Sequence, residues 1–520
     1  MEGSYHSSSD DSSDESSDGS SDGSSDRSSD SSNAIDWIDD DFEMMAVVVF
    51  LLLVNNMAIM AYLIAEENHT QMVNEVVAPN QDNRHGGRRP KAIFRHHEAF
   101  HCIQRDYFGI PGDLTTPIFK DRNFEMMFRL SRTRVQKIFE DVMHSGNAFY
   151  LSQCDGTGVK GASLEAKILL PLKTLAFGTA SHAFCDYFQM SKPLAVRCCD
   201  EYARMIKDLY SSEYLRVPDE NDLKGICRLH RAVHGVNGMM GSLDCMHTRW
   251  KNCPKAWQAS FKSGKESGGP TVVLEAMSDY HLWFWHASFG YAGSLNDLNI
   301  LNLSPFLESL VDGSFKALEE AAGAVPFDVG GENFNALFAL VDGIYPRYSQ
   351  FVKGIPMPLT APEIAFSEWQ ESSRKDIERA FGVLQCRFQV MARPFHAFSL
   401  NKMSNTVSAC LIMHNMSISD RVMNGNVHAV YDPGELVYND GYLDEVLELT
   451  ENNNEYAAAA NNNGNQGEQL AAIGIANAGY ETIVQNMIAR LARQANWQNL
   501  SDTDEHSRLH AALMRVKGRN

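Results

Sequence analysis

Two apolar stretches that each end in an aspartate limit what this chain of 520 residues can fold into. The short stretch Met239–Leu243 leads into Asp244, and the denser run Leu337–Val341 leads into Asp342. Runs of this length are typical of buried strands, and ligands bind at the carboxyl ends of strands in open α/β sheets. We therefore expect both aspartates at the carboxyl ends of buried strands, facing one site.

A third acidic residue, Glu378, lies on a predicted helix. Ile377, Phe381, Leu384 and Phe388 recur at helical spacing, and Glu378 lies about 100° around the helix from Ile377, at the edge of this apolar stripe. A helix packed on the sheet could hold Glu378 beside the two aspartates. Converging carboxylates suit hard divalent cations, which take oxygen ligands and act in pairs in phosphoryl transfer.

The segments between these acids predict the rest of the sheet. Residues 271–277 and 282–289 predict a β-hairpin, and residues 299–310 predict a helix that leads to the strand before Asp342. The order is three strands, a helix, a strand and a helix. This order predicts an α/β fold with helices on both faces of a mixed sheet.

Five sequence blocks run in order from about residue 236 to residue 420. They read GSLDCMHTRWKNCP, GPTVVLEAMSDYHLWFWHASFGYAGSLNDLNIL, ALVDGIYPRYSQFV, RKDIERAFGVLQCRFQVMARP and SACLIMHNMSISD. With these blocks the chain resembles the transposases of PIF/Harbinger DNA transposons, a group that includes plant transposon proteins and Harbinger transposase-derived nucleases. Weaker similarity extends back to about residue 97.

The resemblance implies an RNase H-like fold and a DDE-type nuclease. Carried over residue by residue, it implies catalytic roles for Asp244, Asp342 and Glu378, which would bind two Mg²⁺ or Mn²⁺ ions and cut and join DNA. Asp297 in GSLNDLNIL matches a fourth acidic position, either as a metal ligand or as a helix N-cap that accepts backbone N–H bonds.

The resemblance also implies partners and a location. The substrate would be DNA at transposon ends and target sites, a separate Myb-like DNA-binding protein would assist, and the chain would act in the nucleus. The alternative is a domesticated DNA-binding or chromatin-interaction protein that kept the fold without nuclease activity. The presence of every acidic position favours the nuclease, because a lost activity would let any of them drift.

Basic side chains near these motifs are candidates for DNA contact. Arg249 and Lys251 follow the first aspartate, and Arg379 and Arg387 share the predicted helix with Glu378. Each could bind a phosphate, although exposed helix faces commonly carry such charges without any partner.

The region before the first aspartate is predicted to be helical. A helix over Leu164–Phe177 comes first, a short helix around Ala183–Met190 follows, and Ser191 is predicted to cap a third helix that runs to about Tyr210. Together they resemble a helix-turn-helix with Lys192 and Arg197 on its recognition helix. The alternative is a plain helical cap on the nuclease domain.

One basic stretch precedes these helices. Arg88, Arg89 and Lys91 resemble a minor-groove arm or a short nuclear import signal. Further on, residues 97–101 read HEAFH and match the H-E-x-x-H pattern of zinc proteases. We interpret this match as a coincidence, because no third ligand is placed to complete a zinc site.

The net charge of −21 is unusual for a DNA-binding protein, but it is unevenly spread. Residues 1–68 hold sixteen acids and one arginine and so carry −15, which leaves −6 for the remaining 452 residues. The acidity therefore belongs mostly to the N-terminal segment, and basic patches elsewhere are compatible with DNA binding.

Composition and motifs divide the chain into six segments. These are a disordered Ser/Asp-rich acidic tail (1–33), an apolar helical segment (34–68), a basic linker with amphipathic helices (69–160), the helix-turn-helix-like region (161–235), the RNase H-like nuclease domain (236–425) and a C-terminal tail (426–520). A terminal helix within Glu481–Met514 could pair with another chain, which would give a homo-oligomer.

The apolar stretch Met44–Ile64 has 21 residues without charge, long enough for a membrane-spanning helix. Asn55 and Asn56 lie in its middle, however, and acidic residues flank both of its ends. These features favour a helix buried against a partner or against the chain itself over a membrane span.

Overall fold

The computed structural model describes residues 94–109, 116–151, 160–262, 269–423 and 503–517. All of these residues belong to one unit, which spans residues 80–520. The predictions for segments 1–33 and 34–68, and for Arg88, Arg89 and Lys91, lie outside the described residues. Within the described ranges, no helix is both long enough and apolar enough to cross a membrane.

The helices of the described residues begin with a group that precedes the sheet. In chain order they are α1 (His96–Ile103, continued by a π-helical turn Gln104–Phe108), α2 (Asp121–Phe128), α3 (Arg132–His144), α4 (Ala148–Leu151), α5 (Leu164–Phe177), α6 (Lys192–Tyr214), α7 (Glu220–His234), α8 (Gln258–Phe261), α9 (Asp297–Leu301), α10 (Pro305–Val311), α11 (Ser314–Ala321), α12 (Ala361–Arg387), α13 (Leu400–Met423) and α14 (Thr503–Lys517). A 3-10 turn at Ser181–Phe184 separates α5 from α6.

The strands of the described residues form one large sheet and one small hairpin. They are β1 (Met239–Arg249), β2 (Thr271–Ser278), β3 (Phe284–Ala292), β4 (Phe327–Val329), β5 (Glu332–Phe334), β6 (Phe338–Leu340) and β7 (Phe351–Val352). The large sheet has the order β3-β2-β1-β6-β7, and β4 pairs with β5.

The large sheet is mixed, as the order of elements predicted. β1, β2 and β3 form an antiparallel meander, which confirms the predicted hairpin. β6 pairs in parallel with the other edge of β1, and β7 pairs in parallel with β6. Helices α7 and α12 pack against β1, and α13 packs against β3. The chain is therefore an α/β protein with a mixed sheet flanked by helices.

Strand β1 continues beyond the point where the sequence predicted its end. Asp244 lies in the middle of this strand, which runs on to Arg249. The extension exists because residues 244–249 pair antiparallel with β2, from Asp244 opposite Ala276 to Arg249 opposite Thr271. The prediction that Asp244 ends a strand was therefore wrong, although Asp244 does lie just beyond the parallel part of β1.

The single helix predicted over residues 299–310 is in fact two helices, α9 and α10. Ser304 separates them and caps α10 by accepting the N–H of Phe306 at 3.1 Å. Pro305 has no N–H to continue α9, and its fixed φ suits the first position of a new helix. The serine and proline together explain the break.

The predicted helices at Leu164–Phe177 and after Ser191 are confirmed, whereas the short helix predicted around Ala183–Met190 was wrong, because only a 3-10 turn at Ser181–Phe184 forms there. α5 spans Leu164–Phe177, and Ser191 caps α6 by accepting the N–H of Leu194 at 3.4 Å. α6 packs against α5 and against α13, which lies about 200 residues later in the chain. Buried Asn415 of α13 donates to the carbonyls of Tyr214 and Phe284, at 2.7 and 3.0 Å. Helix α13 therefore links the helical region to the sheet.

The terminal helix α14 packs on its own chain. Leu509, Ala512 and Leu513 are buried in the same core as the parallel strands, and α14 contacts α12. His506 Nδ1 also makes a hydrogen bond of 2.8 Å to the carbonyl of Tyr348. The apolar face of α14 is thus covered within the chain.

Gly178 ends α5 at a close contact with the segment that follows α12. Its φ is +58°, and a Cβ at this position would lie 2.7 Å from the carbonyl carbon and oxygen of Gln389. The N–H of Gln389 donates to the carbonyl of Ala176 at 3.2 Å, which fixes this approach. We expect Gly178→Ala to lower the free energy of unfolding by about 2–4 kcal/mol, measured by urea denaturation, because a left-handed alanine and a backbone clash both cost energy.

Gly146 provides the matched control for this substitution. Its φ is +68°, but no atom of the described residues lies within 4 Å of the position that a Cβ would occupy. Gly146→Ala should therefore lose only the conformational cost, about 1–2 kcal/mol. Equal losses at the two positions would contradict the close packing inferred at Gly178.

Candidate active site beyond the parallel strands

Asp244 lies in β1, and Asp342 follows the neighbouring parallel strand β6. The parallel register aligns Ser242 of β1 with Leu340 of β6. Two residues further along each chain come Asp244 and Asp342, at the same level of the sheet. Because neighbouring strands are about 4.8 Å apart, this register places the backbones of the two aspartates near each other at the carboxyl end of β6.

The two aspartates differ in environment. The Asp244 side chain is 22 % exposed, and its Oδ1 accepts the N–H of Cys245 at 2.8 Å. Asp342 is exposed and accepts the N–H of Gly343 at 2.6 Å. Asp244 is therefore the half-buried member of the pair, and Asp342 lies in the turn that follows β6.

Burial raises the pKa of Asp244 to about 6. The N–H of Cys245 and the guanidinium of Arg374 oppose this rise, while the negative charges of Asp297 and Glu378 add to it. Asp297 and Glu378 are thus close enough to Asp244 for their charges to raise its pKa. A half-buried carboxylate among like charges is stabilised by a cation, which links this geometry to metal binding.

Helix α12 is fixed to the strand ends by buried polar side chains. Gln370, which is 3 % exposed, donates from Nε2 to the carbonyls of Val341 and Val352, at 2.9 and 3.1 Å. Ser242 Oγ of β1 donates to the carbonyl of Ser373 at 3.4 Å. These contacts hold α12 across the ends of β6 and β7, directly before Asp342.

Arg374 of α12 links the first and third predicted catalytic acids. Its guanidinium lies 3.5 Å from Asp244 Oδ2 and 3.0 Å from Glu378 Oε1. The Glu378 side chain is 47 % exposed, whereas that of Arg374 is 17 % exposed. Sequence reasoning did not assign Arg374, although its position four residues before Glu378 places both on one helix face.

Asp297 is not the N-cap of its helix. Asn296 takes that role, and its side-chain oxygen accepts the N–H of Asn299 at 2.8 Å. Asp297 is the first residue of α9, and its charge raises the pKa of both Asp244 and Cys245. The predicted capping alternative was therefore wrong, and Asp297 remains a candidate metal ligand.

Two of the basic residues predicted to contact DNA lie at the C-terminal end of β1. Arg249 and Lys251 are exposed at the end of this strand. Between them, Trp250 is 1 % exposed and donates from Nε1 to the carbonyl of Ala397 at 2.8 Å. The buried tryptophan fixes the backbone between the two basic residues.

The two basic residues predicted on α12 have different surroundings. Arg379 is half-exposed, pairs with Asp376 Oδ1 at 3.2 Å and lies over the Tyr280 ring. Arg387 is only 2 % exposed and donates to the carbonyl of His414 at 3.4 Å. A core position cannot reach a phosphate on the surface, so the phosphate contact expected of Arg387 was wrong.

The predicted recognition helix exposes its N-terminal residues. Lys192 and Arg197 of α6 are both exposed. Arg197 also pairs with Glu201 at 3.7 Å and lies 4.9 Å from the centre of the Phe149 ring. Lys192 is thus available to a ligand, whereas Arg197 would have to exchange these contacts for a phosphate.

The H-E-x-x-H match lies on the surface helix α1. His97 and His101 are exposed, and their Nε2 atoms are 3.1 Å apart. Glu98 pairs with Arg95 at 3.3 Å. No third His, Cys, Asp or Glu among the described residues joins this pair to form a metal-binding group.

Comparison with known families gives one result that bears on this site. The family model for plant transposon proteins matches residues 212–424. The match supports a transposon-derived origin for this part of the chain. It includes Asp244, Asp297, Asp342 and Glu378. Searches of curated proteins and of solved structures found no match.

The elevated pKa of Asp244 predicts how metal binding should depend on pH. A cation binds the ionised carboxylate and competes with the proton, so Mn²⁺ affinity should be constant above pH 7 and fall about tenfold for each unit below pH 6. Mn²⁺ titrations between pH 5 and pH 8 would measure this fall. A constant affinity across that range would contradict the prediction.

Proposed function

We propose that this chain is a DDE-type, metal-dependent endonuclease and transposase that cuts and joins DNA. The observation that carries the proposal is the gathering of Asp297 and Glu378 around Asp244, with Asp342 following the strand that pairs in parallel with β1. This gathering lies within the region that the plant transposon family model matches. The antiparallel meander followed by two parallel strands supports an RNase H-like form of the sheet.

The ligands of this site suit the proposed cofactor. All four are carboxylates, which are the ligands that Mg²⁺ and Mn²⁺ prefer over nitrogen or sulfur. Asp244, Asp342 and Glu378 would hold two such ions, with Asp297 as a further ligand. When bound, the pair supplies an activated water or DNA 3′-hydroxyl and stabilises the leaving oxygen.

The chain's own residues would orient the DNA and the carboxylates. Arg249 and Lys251 are exposed at the end of β1, five and seven residues beyond the first aspartate, and would bind backbone phosphates. Gln370 fixes α12 against the ends of β6 and β7, so Glu378 keeps its position relative to Asp244. Arg374 compensates the carboxylate charges in the metal-free protein.

Further parts of the proposal follow the resemblance to Harbinger transposases. α5 and α6 would form a helix-turn-helix in which exposed Lys192 contacts DNA, with Arg197 beside it. The protein would act in the nucleus together with a Myb-like DNA-binding partner. These roles extend the proposed nuclease from a cutting site to recognition of transposon ends.

The test is DNA cleavage by the purified chain. Supercoiled plasmid and short duplexes are incubated with Mg²⁺ or Mn²⁺, with a chelator in a parallel reaction. Nicking that requires the cation is the expected result. If DNA is bound but not cut, a Myb-like partner and terminal-repeat DNA are added. Persistent absence of cleavage would then reject the nuclease and favour the domesticated DNA-binding protein.

A further inference from the structure

A second group of potential metal ligands lies on the other side of helix α12. His230 and His234 are four residues apart on α7, and they therefore share one face of that helix. Asp376 of α12 faces them, and the ligand atoms of all three residues lie within 4.8 Å of one another. We propose that His230, His234 and Asp376 form a binding site for a divalent transition metal, with Zn²⁺ as the best fit.

The burial of His230 is the strongest sign of a missing ligand. Its side chain is 0 % exposed, and neither ring nitrogen has a hydrogen-bond partner among the residues that the structure describes. A buried polar group without a partner is costly, so native structures rarely contain one without a reason. A metal ion bound to one ring nitrogen would remove part of this cost.

The other two ligands are already in contact. His234 Nε2 lies 3.0 Å from Asp376 Oδ2. Two donors on one tetrahedral zinc ion lie about 3.3 Å apart when each bond is about 2.0 Å, so this pair needs little movement to bind one ion. The rings of His230 and His234 are stacked with centroids 5.3 Å apart, so His230 needs the larger rotation.

The surroundings of Asp376 fit a metal ligand. Its side chain is 3 % exposed, and its second oxygen, Oδ1, forms an ion pair with Arg379 at 3.2 Å. Oδ2 is thereby directed toward the histidines. Carboxylates that bind metals are commonly held in this way by a hydrogen-bond donor on the other oxygen.

The ligand set separates this site from the proposed nuclease centre. Two imidazoles and one carboxylate favour Zn²⁺ and similar ions, whereas an all-carboxylate site favours Mg²⁺ or Mn²⁺. Asp376 and Glu378 are two residues apart on α12 and therefore project about 160° apart around the helix. A metal ion bound by His230, His234 and Asp376 would link α12 to α7. It would thereby hold in place the helix that carries Glu378.

The test is Zn²⁺ binding by the full chain without an affinity tag, measured in competition with a chromogenic chelator. We expect one Zn²⁺ per chain, and about tenfold or greater loss of affinity in Asp376→Asn and in His234→Gln. The glutamine can still donate a hydrogen bond to Asp376, which favours folding. Far-ultraviolet circular dichroism would check that both variants fold.

Two control variants separate this site from others that could take up metal. Asp244→Asn removes the proposed nuclease site, and it should leave the bound Zn²⁺ in place. The double variant His97→Ala, His101→Ala removes an exposed histidine pair of the same spacing, and it should also retain one Zn²⁺. Loss of binding in either control, with binding kept in Asp376→Asn, would assign the ion elsewhere and overturn the proposal.

Co²⁺ provides a test that does not depend on variants. Added to the wild-type chain, it should give the intense visible absorption of a four-coordinate ion and be displaced by Zn²⁺. Absence of stoichiometric binding, or the weak absorption of a six-coordinate ion, would overturn the proposal. In that case His230 would be a buried neutral histidine of the core, consistent with its lowered pKa.

Discussion

Replacement of Asp244 by asparagine should reduce metal-dependent DNA cleavage by about a thousandfold or more, because the proposed two-metal chemistry depends on this carboxylate. Asp244 is the half-buried acid of the site, and Arg374, Asp297 and Glu378 all act on its charge. The amide keeps the shape but removes the charge and one oxygen ligand. The measurement is the nicking rate of supercoiled DNA at saturating Mn²⁺.

Glu378→Gln should cause a loss of similar size, because Glu378 is the acid that α12 contributes to the same group. Glu368→Gln is the matched control, since Glu368 is an exposed glutamate on the same helix, on a different face from Glu378. The control should cleave at the wild-type rate. Wild-type cleavage by Asp244→Asn would show that the nuclease centre lies elsewhere in the chain or in a contaminant.

The structure offers two aspartates for the second position of the catalytic set. Asp342 follows a strand that pairs in parallel with β1, which places it at the level of Asp244. Asp297 is the first residue of α9, and its charge raises the pKa of Asp244. We retain Asp342 in the proposed triad because the strand register fixes its backbone beside Asp244, and we propose Asp297 as an additional ligand.

Local patterns in the sequence were sufficient to predict most of the elements around the site. The apolar run before Asp342, the hairpin of β2 and β3, and the helix that carries Glu378 each follow from the spacing of apolar residues. The boundaries of α5 and the cap at Ser191 follow from equally local signals. These features depend on neighbours in sequence, which is why they could be predicted.

The features that were missed depend on contacts between distant segments. β1 extends beyond Asp244 because β2 continues to pair with it, which the apolar pattern of β1 alone does not indicate. Arg387 is buried because α13 covers it, although its charge suggested an exposed position. Gln370 interrupts an apolar stripe on α12 because it donates to two carbonyls of the strand segments that pack beside it, which lie 29 and 18 residues away in sequence.

Arg374 is the missed residue with the greatest consequence for the proposed chemistry. Its guanidinium contacts two of the carboxylates that would bind metal, and it lowers the pKa of Asp244. A divalent cation that binds Asp244 and Glu378 must therefore compete with a positive charge already beside them. This competition keeps the metal-free site from accumulating uncompensated negative charge, at the cost of weaker metal binding.

Arg374→Met should therefore strengthen Mn²⁺ binding at pH 8 by about tenfold, equivalent to one pKa unit of interaction. The same substitution should raise the pKa of Asp244 further, since Arg374 now lowers it, so proton competition should begin at a higher pH. Mn²⁺ titrations at several pH values would reveal both effects: tighter binding at pH 8 and a steeper loss toward pH 6.

Lys375→Met is the control for this prediction. Lys375 is the next residue on α12, is 55 % exposed and pairs with Glu371 at 3.9 Å. Its replacement therefore removes the same formal charge as Arg374→Met, but from a side chain that pairs with Glu371 and not with Asp244 or Glu378. Its Mn²⁺ affinity and pH profile should match those of the wild type. Weaker Mn²⁺ binding by Arg374→Met at pH 8 would contradict the competition, because it would mean that the guanidinium holds the two carboxylates in the arrangement that the cation needs.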